Sequence, residues 1–235
     1  MATSLSYQRP GYMAPGLLLS APPVLSRDNY PNWCNILEEH YETILNDYLQ
    51  VRDYTSPVGC GDRGSGTTDH RVVEEGEWTE FVLFGTGSAS SSQATSTKQL
   101  LLTYCTNAVS LAQEGAGEII FSRLKPGTHI QPHCGPTNLR YTAHLGLQVP
   151  QVAEDDTKRC CIRVAQEFHQ WRVGEMLVFD DSYEHEVFNK TDEERVVLLI
   201  RFWHPEIPPN DRSRFVWEAQ KKKAQATEKR YHPPV

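Results

Sequence analysis

Nine histidines give this chain its widest chemical reach, because a neutral imidazole binds metal ions and moves protons near neutral pH. Position sorts them. His40, His70, His169, His204 and His232 fall in a helical stretch, in polar turns or near prolines, where a surface or hydrogen-bonded histidine is the plain reading. His129, His133, His144 and His185 lie on or beside short apolar runs that read as strands. Strict alternation puts His129, Gln131, His133 and Gly135 on one face and Ile130, Pro132 and Cys134 on the other. The next strand groups Arg140, Thr142 and His144. Two imidazoles from different strands can converge on one metal inside a small barrel. His133 and His185, 52 positions apart (185 − 133), are such a pair, yet spacing of this kind is common in β proteins.

The elements that would carry them come in two blocks. Trp33, Leu37, Tyr41, Ile44, Leu45 and Tyr48 recur at helical spacing, predicting one amphipathic helix of about 18 residues started by Asn29. Lys98–Gln113 predicts a second, and Glu77–Phe84 an early strand. After Gly117 come short strand-like runs: GEIIFSRL, THIQPHC, RYTAHLGLQV, CCIRVA, EMLVFDD, HEVFN and RVVLLIRFW. Short strands broken by Pro, Gly and acidic turns predict a β-sandwich or barrel. The expected layout is a Pro-rich arm over 1–25, lying on the surface or mobile, then one catalytic unit over 26–210. Its helical support spans 26–116 and its β-barrel core 117–207. A basic tail over 211–235, with Lys221, Lys222, Lys223, Lys229 and Arg230, reads as a solvated helical end.

Composition narrows the classes. A net charge of −7 argues against a general nucleic-acid binder. No apolar run approaches the roughly 20 residues of a membrane span or the h-region of a signal peptide, so a cytoplasmic protein without membrane contact is expected. Cys34, Cys60, Cys105, Cys134, Cys160 and Cys161 form no CxxC pair and are expected to be reduced.

The segments HIQPHCGPTNLRYTAHLGLQVP and WRVGEMLVFDDSYEHEVFNKTDEERVVLLIRFWHPE resemble the aspartyl/asparaginyl β-hydroxylases, a family of iron(II)- and 2-oxoglutarate-dependent dioxygenases. The resemblance covers about Gly117–Ile207 and rests on HxGPTN, HLGL, FDDSxEHEV and WHPE. It implies a mainly β fold with supporting helices, a double-stranded β-helix of the jelly-roll or cupin-like type. It also implies Fe(II), 2-oxoglutarate and O2. His133 and His185 match the iron ligands and the catalytic centre. Arg195 matches the clamp for the distal carboxylate of 2-oxoglutarate, Ser122 the hydroxyl that joins it, and His144 a group near its metal-binding end. Relatives in the wider superfamily add a carboxylate two residues after the first histidine; here that residue is Gly135, a gap the β-hydroxylases share. Arg140 and Thr142 fall at the substrate-binding positions, where peptide-modifying members carry two arginines; Thr142 departs from that pattern.

The resemblance implies release of succinate and CO2 as an unactivated C–H is oxidised by hydroxylation, desaturation or cyclisation. Thr142 favours a small-molecule substrate; the alternative is β-hydroxylation of Asp or Asn side chains in a peptide or protein. Asp180 and Asp181 are read either as acceptors orienting His185 or as turn-formers. Two readings of other classes are a non-catalytic ligand-binding barrel and a zinc hydrolase. The hydrolase lacks a visible third ligand. Oligomeric state is not legible.

Overall fold

The computed structural model describes residues 7–8, 10–15, 22–58, 72–85 and 92–231, with side chains as far as 225. The readings of Cys60, His70, His232, Lys229 and Arg230, and of parts of the arm and loops, lie outside those residues or side chains.

Short runs rich in apolar residues build two antiparallel sheets. The larger runs β1 (Ser56–Pro57), β3 (Trp78–Phe84), β4 (Ile119–Leu124), β11 (Arg195–Trp203), β6 (Arg140–Gln148) and β9 (Met176–Phe179). The smaller runs β2 (Val73–Glu75), β5 (Thr128–His133), β10 (His185–Asn189), β7 (Cys160–Val164) and β8 (Glu167–His169). From β4 onward the chain crosses between sheets at nearly every step, with only the β7–β8 hairpin staying in one. That alternation is the double-stranded β-helix. Ile120, Leu124, Ile130, Ile162, Val187, Val197 and Leu199 interdigitate between the sheets.

The outward face of the larger sheet is apolar too, since Phe121, Tyr141, Ala143, Leu145, Leu198 and Ile200 pack beneath helices. Each expected helix is two. The first divides into α1 (Trp33–Glu39) and α2 (Tyr41–Val51) at His40, and the second into α3 (Thr95–Tyr104) and α4 (Thr106–Gln113) at Cys105. Trp33, Leu37, Ile44 and Tyr48 are all buried, so the first break leaves the apolar stripe whole. Asn29 ends a short 3-10 turn and Asn32 is the N-cap. The start of α3 is capped from a neighbouring helix: buried Asp47 accepts the Thr97 amide at 2.6 Å.

Gln8, Tyr12 and Ala14 of the arm are buried rather than loose. Tyr12 and Ala14 pack with Leu139, Trp203 and Phe215 of α5 (Arg212–Tyr231), which supplies apolar cover for an otherwise polar segment. No helix among the described residues is long and apolar enough to cross a membrane.

Candidate active site

His133 and His185 close two neighbouring strands and stand opposite each other in register, their ring centroids 4.1 Å apart. Strict alternation does not bring them together. Between Ile130 and His133 the smaller sheet slips register, so three steps of β5 oppose two of β10. This is a β-bulge over Gln131–Pro132, at a proline that has no amide to pair. It turns His133 inward. His129 stays outside, stacked on Phe188 and bonded to Glu74 and Glu186 at 2.8 Å each. The expectation that His129 and His133 share a face is therefore corrected by one residue.

Both inward rings are held alike. His133 Nδ1 lies 2.8 Å from the Gln131 carbonyl, and His185 Nδ1 lies 2.9 Å from that of Tyr183. A carbonyl only accepts, so each Nδ1 carries the proton and each Nε2 keeps its lone pair. Burial lowers both pKa values, that of His185 to about 3 with His133 adding to the effect. Two neutral imidazoles with free Nε2 lone pairs have the donor chemistry to hold a metal ion.

A third protein ligand is sterically refused. Gly135 donates its amide to the Asp181 carbonyl at 2.5 Å. A Cβ there would lie 2.6 Å from Asp181 Oδ1 and 2.8 Å from its backbone oxygen. Among the described residues no three His, Cys, Asp or Glu side chains are grouped to hold a metal. The Asp181 carboxylate is engaged elsewhere: Arg140 Nη2 and Nε donate to Oδ2 at 3.0 and 3.2 Å, and Arg201 Nε at 3.4 Å. Burial pushes this carboxyl up, but the two guanidiniums outweigh it and hold it at about 2. Arg201 also pairs with Glu118, and Arg140 Nη1 donates to the Ala116 carbonyl at 2.9 Å.

Neither aspartate accepts from His185, whose Nδ1 faces Tyr183. Asp180 is a turn-former, taking the Ser182 amide at 2.9 Å. Burial pushes its pKa up to about 7.

Arg195 opens β11, on the sheet face that also carries Ser122 and His144. It is 2% exposed, and among the described residues no carboxylate pairs with it. Its Nη1 reaches the Ser122 carbonyl at only 3.4 Å, and its Nε has no partner among the described residues. Trp171 lies under the guanidinium, 4.6 Å from ring centroid to Cζ. Burial pushes its pKa down to about 10. Trp171 also donates Nε1–H to His144 Nδ1 at 3.1 Å. His144 must then carry its proton on Nε2, which is buried without a partner among the described residues. Burial first, then Arg195, keeps this ring neutral. Ser122 Oγ accepts from Trp78 Nε1 at 3.0 Å, leaving its hydroxyl proton to donate outward. A desolvated cation without a counter-ion costs several kcal/mol, so Arg195, His144 and Ser122 fit a bound dicarboxylate.

Ser122, Arg195, Arg140, Thr142 and His144 thus lie on one face of the larger sheet, while His133 and His185 face each other at the edge of the smaller one, and Thr142 places a buried Oγ1, unpartnered among the described residues, opposite Arg201. Sequence reasoning missed Trp171, Trp78, Arg201 and Glu118. Trp171 reads as part of a polar turn, and Arg201 as one charge in an apolar run; only strand pairing gives them partners.

Comparison with known proteins places the sequence in a family. Residues 38–205 match the family model described as aspartyl/asparaginyl beta-hydroxylase. The chain is 30% identical over 209 residues to the human aspartyl/asparaginyl beta-hydroxylase, covering 88% of this chain and 26% of that protein. It is 32% identical over 190 residues to the ornithine lipid ester-linked acyl 2-hydroxylase of Rhizobium tropici, covering 80% of this chain and 62% of that protein. It therefore spans about a quarter of the first relative and under two thirds of the second. With the family model matching well over half of its length, the chain belongs to the aspartyl/asparaginyl β-hydroxylase family.

Proposed function

We propose that this chain is an iron(II)- and 2-oxoglutarate-dependent dioxygenase that oxidises an unactivated C–H of a small-molecule substrate. The observation that carries the reading is Arg195, a fully buried guanidinium with no carboxylate partner among the described residues. Such a cation is retained when an anionic ligand completes it. His133 and His185 would hold iron(II) through Nε2, Arg195 and Ser122 the distal carboxylate of 2-oxoglutarate, and His144 its metal-proximal end. Bound together, iron, 2-oxoglutarate and O2 supply a two-electron oxidation: R–H + O2 + 2-oxoglutarate gives R–OH + succinate + CO2.

The chain's own residues bind and orient. The guanidinium offers a planar donor fork that matches a carboxylate. Neutral His144 donates from Nε2 without bringing a second charge, its tautomer fixed by Trp171. Phe179, 5.1 Å from His144 and 5.7 Å from His185 between ring centroids, helps keep water out. Arg140 and Thr142 would line the substrate end.

Thr142 supports the small-molecule reading, since a neutral hydroxyl recognises an acidic side chain poorly. The human relative supports a second reading, β-hydroxylation of Asp or Asn in a peptide, and the Rhizobium relative extends the small-molecule class to an acyl chain. Succinate formation from 2-oxoglutarate by the iron-loaded protein tests the chemistry. H133A and H185A should each abolish it, and full turnover in either variant rules the proposal out. Hydroxylated peptide at good turnover would move the substrate to the second reading.

A further inference from the structure

The chamber treats charge differently at its two ends. Arg201 lies six residues beyond Arg195 on the same face of β11, roughly 20 Å along the strand. Arg195 has no counter-ion among the described residues, while Arg201 and Arg140 share two carboxylates. Asp181 takes both guanidiniums and Glu118 takes Arg201 again. Two cations and two carboxylates sum to zero. Buried Glu80, on the neighbouring β3, is close enough to raise the Arg201 pKa together with Glu118 and Asp181, so the balance leans negative. Directly opposite Arg201 in register stands Thr142, 2% exposed, with its Oγ1 unpartnered among the described residues.

This quartet stands beside the histidine pair, because the Asp181 carboxylate fills the space a Cβ on Gly135 would need. We infer that the subsite next to the histidine pair carries no excess positive charge as built and takes an uncharged polar group of the substrate, an amide, ester or hydroxyl, instead of a carboxylate. The inference rests on the dioxygenase reading and specifies its substrate class. A substrate carboxylate here would be a third or fourth buried negative group with no unpaired cation to meet it. Burying an uncompensated charge costs far more than burying a neutral group that finds one hydrogen bond. The Thr142 hydroxyl supplies that bond, as donor or acceptor.

The test uses the full chain loaded with nickel(II) and 2-oxoglutarate, so that nothing turns over. Saturable binding of 2-oxoglutarate to the nickel protein is measured first. Its absence would defeat the dioxygenase reading separately from the charge argument. Matched probes are then titrated by calorimetry: a short peptide with Asn or with Asp at its centre, and octanamide or octanoate. Whichever scaffold binds, the uncharged member should be preferred roughly tenfold or more. E118Q, nearly isosteric, removes one negative charge from beside Arg201 and should shift the ratio about tenfold toward the acid. T142R should do the same if it melts like the wild type. If neither probe pair binds the wild type, E118Q must still acquire acid binding. Acid preferred by the wild type, or a ratio unmoved in a folded E118Q, overturns the inference.

Discussion

Two arginines on one face of one strand live under opposite conditions. Arg195 is desolvated, stacked on Trp171 and without a counter-ion among the described residues, whereas Arg201 is locked between Glu118 and Asp181. A buried ion pair is weak evidence for stability, but breaking one is costly. An unpaired buried cation is the reverse, a standing cost that a ligand removes. On the proposed reading, the Arg195 end is thus primed for an anion, while the Arg201 end has already satisfied its charges internally.

Removing one member on each side sharpens the contrast. D181N takes the shared acceptor from Arg140 and Arg201 and should cost about 3–5 kcal/mol of unfolding free energy, read by denaturant melts. Its acid behaviour follows by sign. The Asp181 pKa is depressed to about 2, so its stabilisation is complete above the ordinary carboxylate range and is lost as pH falls through about 2. R195M should do the opposite to the fold: the ligand-free protein melts at the same temperature or higher, while 2-oxoglutarate affinity drops by about 100-fold, roughly 3 kcal/mol. A lower melting temperature for R195M would mean the guanidinium is paired after all.

Smaller effects probe the surroundings. Asp180 has its pKa raised to about 7, so the folded state holds a proton that the unfolded state releases near pH 4. Stability therefore falls as pH rises. Between pH 6 and 8 the wild type should lose about 1.4 kcal/mol relative to D180N, and parallel profiles would contradict this. W171F keeps a ring under Arg195 but deletes the Nε1–H that sets the His144 tautomer. It should weaken 2-oxoglutarate binding about fivefold, near 1 kcal/mol, with metal affinity unchanged.

Much of this was legible in sequence, for physical reasons. Short apolar runs bounded by Pro, Gly and acidic turns located β3 to β7 and β9 to β11, because strands buried against a core need apolar residues and their connections need turn formers. Strands as short as β1, β2 and β8 carry too few residues to show a pattern. The helix breaks at His40 and Cys105 were hidden because the buried stripe continues across them. His144 and Thr142 do share an inward face, as alternation requires. His133 was singled out through an alternation that the bulge in fact violates, and the family resemblance reached it for a sounder reason. Trp171 could not be found because its two partners, on β6 and β11, are brought to it only by the fold.

The bulge at Gln131–Pro132 has an evolutionary consequence. What aims His133 at the chamber is the number of residues between it and Ile130, whatever their side chains. Substitutions at 131 and 132 are then cheap to explore, while an insertion or deletion of one residue swings the imidazole to the opposite face. Drift in this stretch should proceed by replacement at constant length.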